Sequence, residues 1–333
     1  MSKILYILGN GFDMALGMKT SYPDFYNYLS KLDDKDCSRL LKLMKNDVNM
    51  RKELWADMEI ALGKFTVRAN NSEEFTYFYY ELCDHLNDYL EMQVNDFKAK
   101  VSEKPKIKDL FFQDISDFSI FLKERDQWEF RRHIFDNCSF YIMSFNYTRV
   151  IESLRDLPSS SVNTSNVLNN LMEIIHVHGE LDDTIIVGVD KKEQIDDYSI
   201  RGDVEVQNVI IKAKANEAMR TLRAYNCEEF INSADVIILY GVSFGETDEH
   251  WWKLIGNNFK SRDLILINHF YLKGVNAQRR RQLIANYENN QKLEFMKKLG
   301  FRFEVDWPKD TDNRLFFVTN ANAFSMSKYL AEI

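Results

Sequence analysis

Residues 3–13 constrain the fold of this chain more than any other segment. Residues 4–8 are a continuous apolar run, which is typical of a strand buried on both faces of a parallel sheet. The run ends in Gly9-Asn10-Gly11-Phe12-Asp13, whose glycines allow the main chain to approach phosphate oxygens and to direct N–H groups at them. The segment therefore predicts a nucleotide-binding loop at the head of an α/β sheet. A tight turn capped by Asp13 is the alternative interpretation.

The composition limits the environment and the partners of the chain. The formal net charge of the 333 residues is -8, which argues against broad nucleic-acid binding. The four cysteines form no C-x-x-C pair, a pattern that fits a reduced cytoplasmic protein without a structural zinc site. The N-terminal apolar run is too short for a signal peptide, and no stretch approaches the ~18 apolar residues of a membrane span. We therefore expect a cytoplasmic protein that does not bind a membrane and for which nucleic acid is not the favoured ligand, although the charge does not exclude a small basic groove.

The order of predicted elements indicates a sheet that is interrupted by helices. Helical periodicity dominates residues 24–135, which we interpret as a helical insertion or cap. Residues 1–23 and 136–333 then form one nucleotide-binding domain. Strands that alternate with helices predict a doubly wound, mostly parallel α/β sheet. The later strands are predicted at residues 139–145, 174–177, 184–187, 235–240, 264–267 and, at the edge, 301–305, and helices from residue 20, over 205–231 and over 276–298.

Four short motifs follow predicted strands, and in a doubly wound sheet the ligand lies beyond the carboxyl ends of the strands. The first is the glycine loop of residues 9–13. The second contains Asn146, an amide that can both donate and accept hydrogen bonds. The third is His176-Val177-His178-Gly179, in which His178 is suited to general-base catalysis near neutral pH. The fourth is the loop from Gly241 to Ser243, and Asn268 follows a further strand.

Each motif also has a plainer interpretation. Asn146, followed by Thr148, is typical of a helix cap, and the loop at Gly241 is typical of a turn. His178 is compatible with an inert, hydrogen-bonded structural histidine. Metal binding by His176 and His178 together lacks a clear third ligand, so no metal is expected. The convergence of the motifs on one edge of the sheet is what favours a ligand site.

The motifs resemble those of the AbiH-like abortive-infection family of bacterial anti-phage proteins. The resemblance begins with Leu8-Gly9-Asn10-Gly11-Phe12-Asp13 and Thr20-Ser21-Tyr22, and Trp55-Ala56-Asp57-Met58-Glu59 resembles the W-x-D-x-E helix of that family. It extends through Phe145-Asn146-Tyr147-Thr148 to the His-Gly and Gly-x-Ser-Phe motifs, and so covers nearly the whole chain. The resemblance implies a role in abortive infection.

The family in turn resembles the sirtuin-like NAD-binding fold, whose sheet is Rossmann-like. The glycine loop, strand-end asparagine, catalytic histidine, G-x-S loop and late asparagine of sirtuins correspond here to residues 9–13, Asn146, His178, Gly241 to Ser243, and Asn268. Two departures are Asp13 in place of serine and Thr148 in place of aspartate. The sirtuin zinc cysteines are also missing, which argues against a peptide deacylase.

The resemblance implies an NAD glycohydrolase that releases nicotinamide and ADP-ribose during infection. His178 would be the base, and Asn146 would hold the water or the ribose. The loop of residues 9–13 would bind the pyrophosphate, while Ser243 and Asn268 would hold the adenosine side.

Several interpretations remain open beside the hydrolase. Glu59 is a further site candidate because its spacing from Trp55 places both on one helix face, and a structural role is the alternative. The chain as a whole could instead be a sensor that binds a nucleotide or an NAD-derived signal without turnover, or a toxin that acts on nucleic acid. A second copy of the chain or a co-encoded defence protein is the expected protein partner.

Overall fold

The computed structural model describes residues 2–104, 106–131, 137–157, 170–181, 183–270, 281–302, 304–319 and 324–331. Its centre is a six-stranded sheet. The strands are β1 (Lys3–Leu8), β2 (Ser139–Ser144), β3 (Leu171–His176), β4 (Val236–Tyr240), β5 (Ile265–Phe270) and β6 (Leu315–Thr319). They lie in the order β3-β2-β1-β4-β5-β6, and every neighbouring pair is parallel.

This strand order defines where the chain reverses direction across the sheet. From β1 the chain builds outward through β2 and β3, then returns to the other side of β1 and builds outward through β4, β5 and β6. The chain therefore leads from β1 and from β4 to helices on opposite faces of the sheet. The gap between these two strand ends is the switch point, where a doubly wound sheet has its ligand crevice. The predicted doubly wound, Rossmann-like α/β fold is confirmed.

Four of the predicted later strands are confirmed, and two are wrong. Residues 184–187 belong to no strand of the described sheet, and the Ile186 N–H instead donates to the His178 carbonyl at 2.8 Å. Residues 304–306 form a turn of 3-10 helix where an edge strand was predicted. The alternating apolar residues of 301–305 imitate a strand, but the actual edge strand is β6, which the sequence analysis did not identify.

Helices cover both faces of the sheet. They are α1 (Gly11–Ala15), α2 (Tyr22–Leu29), α3 (Arg39–Met50), α4 (Met58–Phe65), α5 (Ser72–Val101), α6 (Lys106–Ser116), α7 (Glu124–Phe130), α8 (Val150–Asp156), α9 (Tyr198–Gly202), α10 (Val204–Ile210), α11 (Lys212–Ala218), α12 (Arg223–Ser233), α13 (Glu249–Ser261), α14 (Arg281–Lys298), α15 (Thr311–Arg314) and α16 (Ser325–Ala331).

The helix predictions are confirmed in type but not always in extent. The helix predicted from residue 20 is α2, and the Ser21 hydroxyl caps it by accepting the Asp24 N–H at 3.3 Å. The helix predicted over 205–231 is wrong as one element, because it is three helices separated at Ile211 and at residues 219–222. The start of the helix predicted over 276–298, and the domain boundary at residues 135 and 136, lie outside the described residues.

The residues between β1 and β2 form helices that pack on one face of the sheet. Ile4, Tyr6 and Leu8 of β1 join a core with the buried apolar residues of α2 to α6. Leu5 and Ile7 point to the opposite face and join a second core with α12, α13 and α14. The alternation of side chains along β1 thus buries both faces of the strand, as its unbroken apolar run predicts.

Candidate functional site

A cleft of 1030 Å³ lies at the carboxyl edge of the sheet. It is bounded by the loops that follow β1, β2, β3 and β4 and is covered by α2, α4 and α5 of the helical insertion. The volume is at the upper end of the roughly 300–1,000 Å³ that is typical of small-molecule sites. The cleft brings together most of the predicted site residues, namely Gly9, Asn10, Gly11, Asp13, Asn146, His178, Gly241 and Ser243.

The glycines of the two central loops allow these loops to touch. The N–H groups of Gly9 and Gly11 donate to the carbonyls of Tyr240 and Gly241 at 3.0 and 2.9 Å. A Cβ atom on Gly11 would lie 2.5 Å from the Gly241 Cα, and Gly241 itself has a φ of +70°. The glycines are thus explained by close loop packing, and the N–H groups of Gly9 and Gly11 are already bonded to the main chain.

Two other residues of the first loop also have internal roles. Asn10 donates its amide to the Thr20 carbonyl at 2.9 Å and accepts the Thr20 hydroxyl at 2.5 Å, which ties the loop to the start of α2. Phe12 is buried in the core, where its ring meets those of Phe111 and Phe324 at centroid distances of 6.0 and 5.2 Å. The Phe12 side chain therefore does not face the cleft.

A buried carboxyl joins the first loop to the loop after β2. Asp13 accepts the Asn146 amide at 2.9 Å and the Thr148 hydroxyl at 2.5 Å. Burial raises the pKa of Asp13 from 3.8 to about 7, although both hydrogen bonds favour its charged form. Asp13 and Thr148, the two departures from the predicted sirtuin pattern, are therefore in direct contact.

His178 is buried in the wall of the cleft and is oriented by a carboxylate. Its Nε2 lies 2.9 Å from Oδ1 of Asp248, which the loop after β4 positions. Because an ionised carboxylate can only accept, Nε2 carries the proton and Nδ1 is left with a lone pair. Burial and the nearby Lys212 ammonium lower the pKa of His178, so its ring is neutral near pH 7.

Lys212 connects the hydrogen-bonded pair of His178 and Asp248 to the helical insertion. Its ammonium donates to Asp248 and to Glu59, each at 2.8 Å, and Glu59 also accepts the Thr247 hydroxyl at 2.6 Å. Burial disfavours the charge on Asp248, but Lys212 and His178 outweigh it and hold the pKa of that carboxyl well below its ordinary value. Burial raises the pKa of Glu59. The result is a buried network of alternating charge.

The W-x-D-x-E segment positions Glu59 by a route that differs from the predicted one. Trp55 lies in a 3-10 turn (Leu54–Ala56) ahead of α4, so the expectation that it shares a helix face with Glu59 is wrong. The Trp55 indole donates to Asp47 at 2.7 Å and anchors the turn. Asp57 then caps α4 by accepting the N–H groups of Glu59 and Ile60, both at 3.1 Å, which fixes Glu59 in the first turn beside the cleft.

An aromatic wall closes the cleft near His178. Phe145 stacks on Trp252 with a centroid distance of 5.4 Å and presents its edge or face to His178 at 5.2 Å. The Trp252 indole in turn donates to the Gly245 carbonyl at 3.1 Å and supports the loop that carries Asp248. The wall provides an apolar surface beside a polar one.

Asn268 lies apart from the cleft. The sequence analysis placed it after a strand, but β5 continues two residues further, to Phe270, and Asn268 pairs with Leu239 inside the sheet. It is buried and is not among the residues that line the cleft. The expectation that Asn268 ends a strand is therefore wrong.

Two buried polar atoms in the cleft wall have no partner among the described residues. They are Oδ1 of Asn146 and Nδ1 of His178, whose residues are only 7% and 4% exposed. Leaving a buried polar atom without a hydrogen bond costs about 1–3 kcal/mol, so such atoms call for an explanation. A ligand that donates hydrogen bonds to both atoms would supply one.

Sequence reasoning missed two members of this site. Asp248 lies five residues beyond the predicted loop of Gly241 to Ser243, and Lys212 falls inside the helix predicted over 205–231. Ile211 is in fact extended and bridges Val189, so that a new helix begins at Lys212 and its side chain enters the network. A lysine at a hidden helix break gives no signal in the local pattern.

Fold and site together define the class of this protein: it is a Rossmann-like α/β protein with a cleft at its switch point, beneath a helical cover. The chain belongs to the family described as Bacteriophage abortive infection AbiH, whose model matches residues 5–269. Membership of this family supports a role in abortive infection by bacteriophage. No curated protein matches the chain. Of the described helices, none has the length and apolar character needed to cross a membrane.

Proposed function

We propose that the cleft binds NAD and hydrolyses the bond between nicotinamide and ribose. The observation that carries the proposal is the pair of buried, unpartnered atoms in its wall, His178 Nδ1 and Asn146 Oδ1. Both accept hydrogen bonds, and water and ribose hydroxyls both donate them. The nicotinamide ribose is therefore expected beside these two residues.

His178 would act as the general base. Asp248 holds its Nε2–H and thereby directs the Nδ1 lone pair away from the carboxylate, as the aspartate does in a catalytic triad. The lowered pKa keeps the ring neutral and able to take a proton near pH 7. A positioned base of this kind contributes about 10²–10⁴-fold to a rate.

The chemical step is the addition of one water across the glycosidic bond. The water oxygen bonds to the anomeric carbon, nicotinamide leaves as a neutral pyridine with the bonding electron pair, and the water proton passes to His178 Nδ1. Since the leaving group departs neutral, no acid has to protonate it. The transition state resembles an oxocarbenium ion, and the carboxylate of Asp248, beside His178, would favour its positive charge.

A second candidate is a sensor that binds a nucleotide or an NAD-derived signal without turnover. Its support is the charge of the lining, which has six carboxylates and only two lysines; these are Asp13, Glu53, Asp57, Glu59, Glu246 and Asp248, against Lys64 and Lys298. The N–H groups of Gly9 and Gly11 are also already bonded. Both features favour an NAD-derived signal without a pyrophosphate, such as a nucleoside, over NAD itself, whose pyrophosphate would depend on the two lysines.

The test is the release of nicotinamide and ADP-ribose from NAD by the full chain, alongside calorimetric measurement of NAD binding. We expect His178→Ala to slow release at least about 100-fold and Asp248→Asn to slow it as well. His250→Ala, at an exposed histidine paired with Glu228, is the matched control and should leave the rate unchanged. Because burial and Lys212 lower the pKa of His178 from 6.5, the pH at which the wild-type rate falls to half should lie below 6.5.

The outcomes separate the candidates. Full activity of His178→Ala would refute the assignment of the base. NAD binding without turnover by the wild-type chain would refute the hydrolase and favour the sensor. Failure to bind NAD at all would refute the hydrolase, and failure to bind ADP-ribose and nicotinamide riboside as well would refute the sensor.

A further inference from the structure

Three potential metal ligands meet outside the cleft, on the far side of Asn146. They are Glu152 of α8, His176 at the end of β3, and Glu180 in the loop after it. One ligand atom from each lies within 4.8 Å of the other two. Glu152 and His176 are buried, while Glu180 is partly exposed, and none of the three lines the cleft described above.

The His176 ring is oriented as metal-binding histidines are. Its Nδ1 lies 2.7 Å from the Asn146 carbonyl, which can only accept, so Nδ1 carries a proton and donates it. Nε2 lies 3.1 Å from Oε1 of Glu152, and since a carboxylate can only accept, Nε2 also carries a proton, which an incoming cation would displace. Metal-bound histidines commonly donate their other ring N–H to a backbone carbonyl or carboxylate in this way, because the bond fixes the ring and the tautomer.

The second carboxylate oxygen of Glu152 supplies an independent sign of a missing ligand. Glu152 is only 8% exposed, and its Oε2 is buried without a hydrogen-bond partner among the described residues. A buried carboxylate oxygen without a partner has lost its hydration and gained no hydrogen bond in return, which is energetically unfavourable. A cation in contact with the carboxylate would remove it.

We propose that Glu152, His176 and Glu180 bind one divalent transition-metal ion, of the Zn²⁺ or Mn²⁺ type. One imidazole and two carboxylates are a donor set that such ions accept, and water would complete the coordination. Metal–ligand bonds of about 2.0–2.2 Å require ligand atoms about 3–3.5 Å apart, so the cluster closes by about 1 Å on binding. Glu180 can make this movement because its side chain is 30% exposed and, among the described residues, its ion-pair partner is the partly exposed Arg149 at 3.0 Å.

The proposed site is accessible from the surface and lies directly behind Asn146 of the cleft. Glu152 and Arg149 line a surface groove of 570 Å³, through which an ion can reach the cluster. His176 holds the main-chain carbonyl of Asn146, whose side chain faces the cleft. A bound ion would therefore fix one wall of the cleft from behind. This inference goes beyond the proposed hydrolysis and does not depend on it.

The test uses the full chain after treatment with a chelator, with Zn²⁺ and Mn²⁺ added separately. Calorimetry and elemental analysis after dialysis should find one ion per chain. Glu180→Gln should weaken binding at least about 100-fold, beyond the 10–100-fold typical for loss of an outer hydrogen-bond partner. This variant is favoured because Glu180 is partly exposed and its loss should leave the fold intact. Glu152→Gln, which keeps the shape of the side chain, should have the same effect.

The matched controls are His250→Ala and Glu228→Gln. These residues form a surface histidine–glutamate pair with an Nε2 to Oε1 distance of 3.0 Å, close to that of the proposed site. Absence of ion binding by the wild-type chain would overturn the proposal. It would equally be overturned if Glu180→Gln and Glu152→Gln kept wild-type affinity, or if a control variant removed the ion. A Co²⁺ absorption band that Glu180→Gln abolishes would support it.

Discussion

Asp13 carries a buried carboxyl whose protonation is linked to folding, and Asp13→Asn removes that linkage. Burial raises its pKa from 3.8 to about 7 in the folded protein. Between these two pH values the folded state binds a proton that the unfolded chain releases. The free energy of unfolding therefore falls as the pH rises through this window. With 1.36 kcal/mol for each pKa unit, the full loss is about 4 kcal/mol above pH 7.

Asparagine can replace the protonated carboxyl without loss of hydrogen bonds. Its oxygen can accept from the Asn146 amide, and its NH₂ group can donate to the Thr148 hydroxyl oxygen, which now accepts. We expect wild type and Asp13→Asn to differ in free energy of unfolding by less than about 1 kcal/mol near pH 4. Near pH 8 the variant should be more stable, by up to about 4 kcal/mol.

The assay is urea unfolding from pH 4 to pH 8, followed by both tryptophan fluorescence and circular dichroism, whose coincidence tests for two-state unfolding. The informative quantity is the difference between variant and wild type, because it cancels the other titrating groups. Asp36→Asn, at an exposed carboxylate, is the control, and its difference should stay within about 0.5 kcal/mol. A difference for Asp13→Asn that does not change with pH would refute the buried-carboxyl account.

Two further predictions concern the frame of the cleft, and both are read from urea midpoints. Lys212→Met leaves two buried carboxylates without their cation and should cost about 3–5 kcal/mol, of which adding Glu59→Gln should restore part. Lys253→Met at an exposed ion pair should cost less than about 1 kcal/mol. Gly241→Ala places a Cβ 2.6 Å from a main-chain nitrogen at a φ of +70° and should cost more than about 2 kcal/mol. Gly202→Ala, whose Cβ meets nothing within 4 Å, should be neutral or stabilising, and equal losses at both glycines would contradict the loop-packing argument.

The sequence was sufficient to predict the edge of the sheet on which the site lies. Apolar runs that end in glycine or polar residues identify the carboxyl ends of parallel strands, and these ends share one edge by geometry. Asn146 and His178 follow different strands, and this rule alone predicted that both would line one cleft. The rule failed for Asn268, because β5 continues to Phe270 and Asn268 is an interior residue of the strand.

The partners of His178 were out of reach of the same reasoning. Asp248 is 70 residues from His178, to which it is bonded, and Lys212 is 36 residues from Asp248. Neither residue lies in a pattern that distinguishes it from a surface residue. Strand β6 was missed while the alternating residues 301–305 were preferred, since local alternation does not reveal which segment the sheet accepts. The break at Ile211 depends on a bridge to Val189, which is likewise a tertiary feature.

The pairing of Asp13 with Thr148 changes the meaning of the departures from the sirtuin pattern. Taken singly, each substitution weakens the comparison with a sirtuin active site. In the structure the Thr148 hydroxyl and the Asn146 amide both donate to the Asp13 carboxyl, so the two departures belong to one hydrogen-bonded group. The similarity to sirtuins itself stays a prediction.

A crystal structure of the chain with a carbocyclic NAD analogue, which cannot form the oxocarbenium ion and so is not hydrolysed, would show directly whether the cleft holds the nicotinamide ribose at His178. We expect the ring that replaces this ribose to lie against Asn146. We also expect His178 Nδ1 to lie about 2.6–3.2 Å from a hydroxyl of that ring, or from a water beside the anomeric position. An analogue bound with neither His178 Nδ1 nor Asn146 Oδ1 in a hydrogen bond, or bound outside the cleft, would refute NAD hydrolysis at this site.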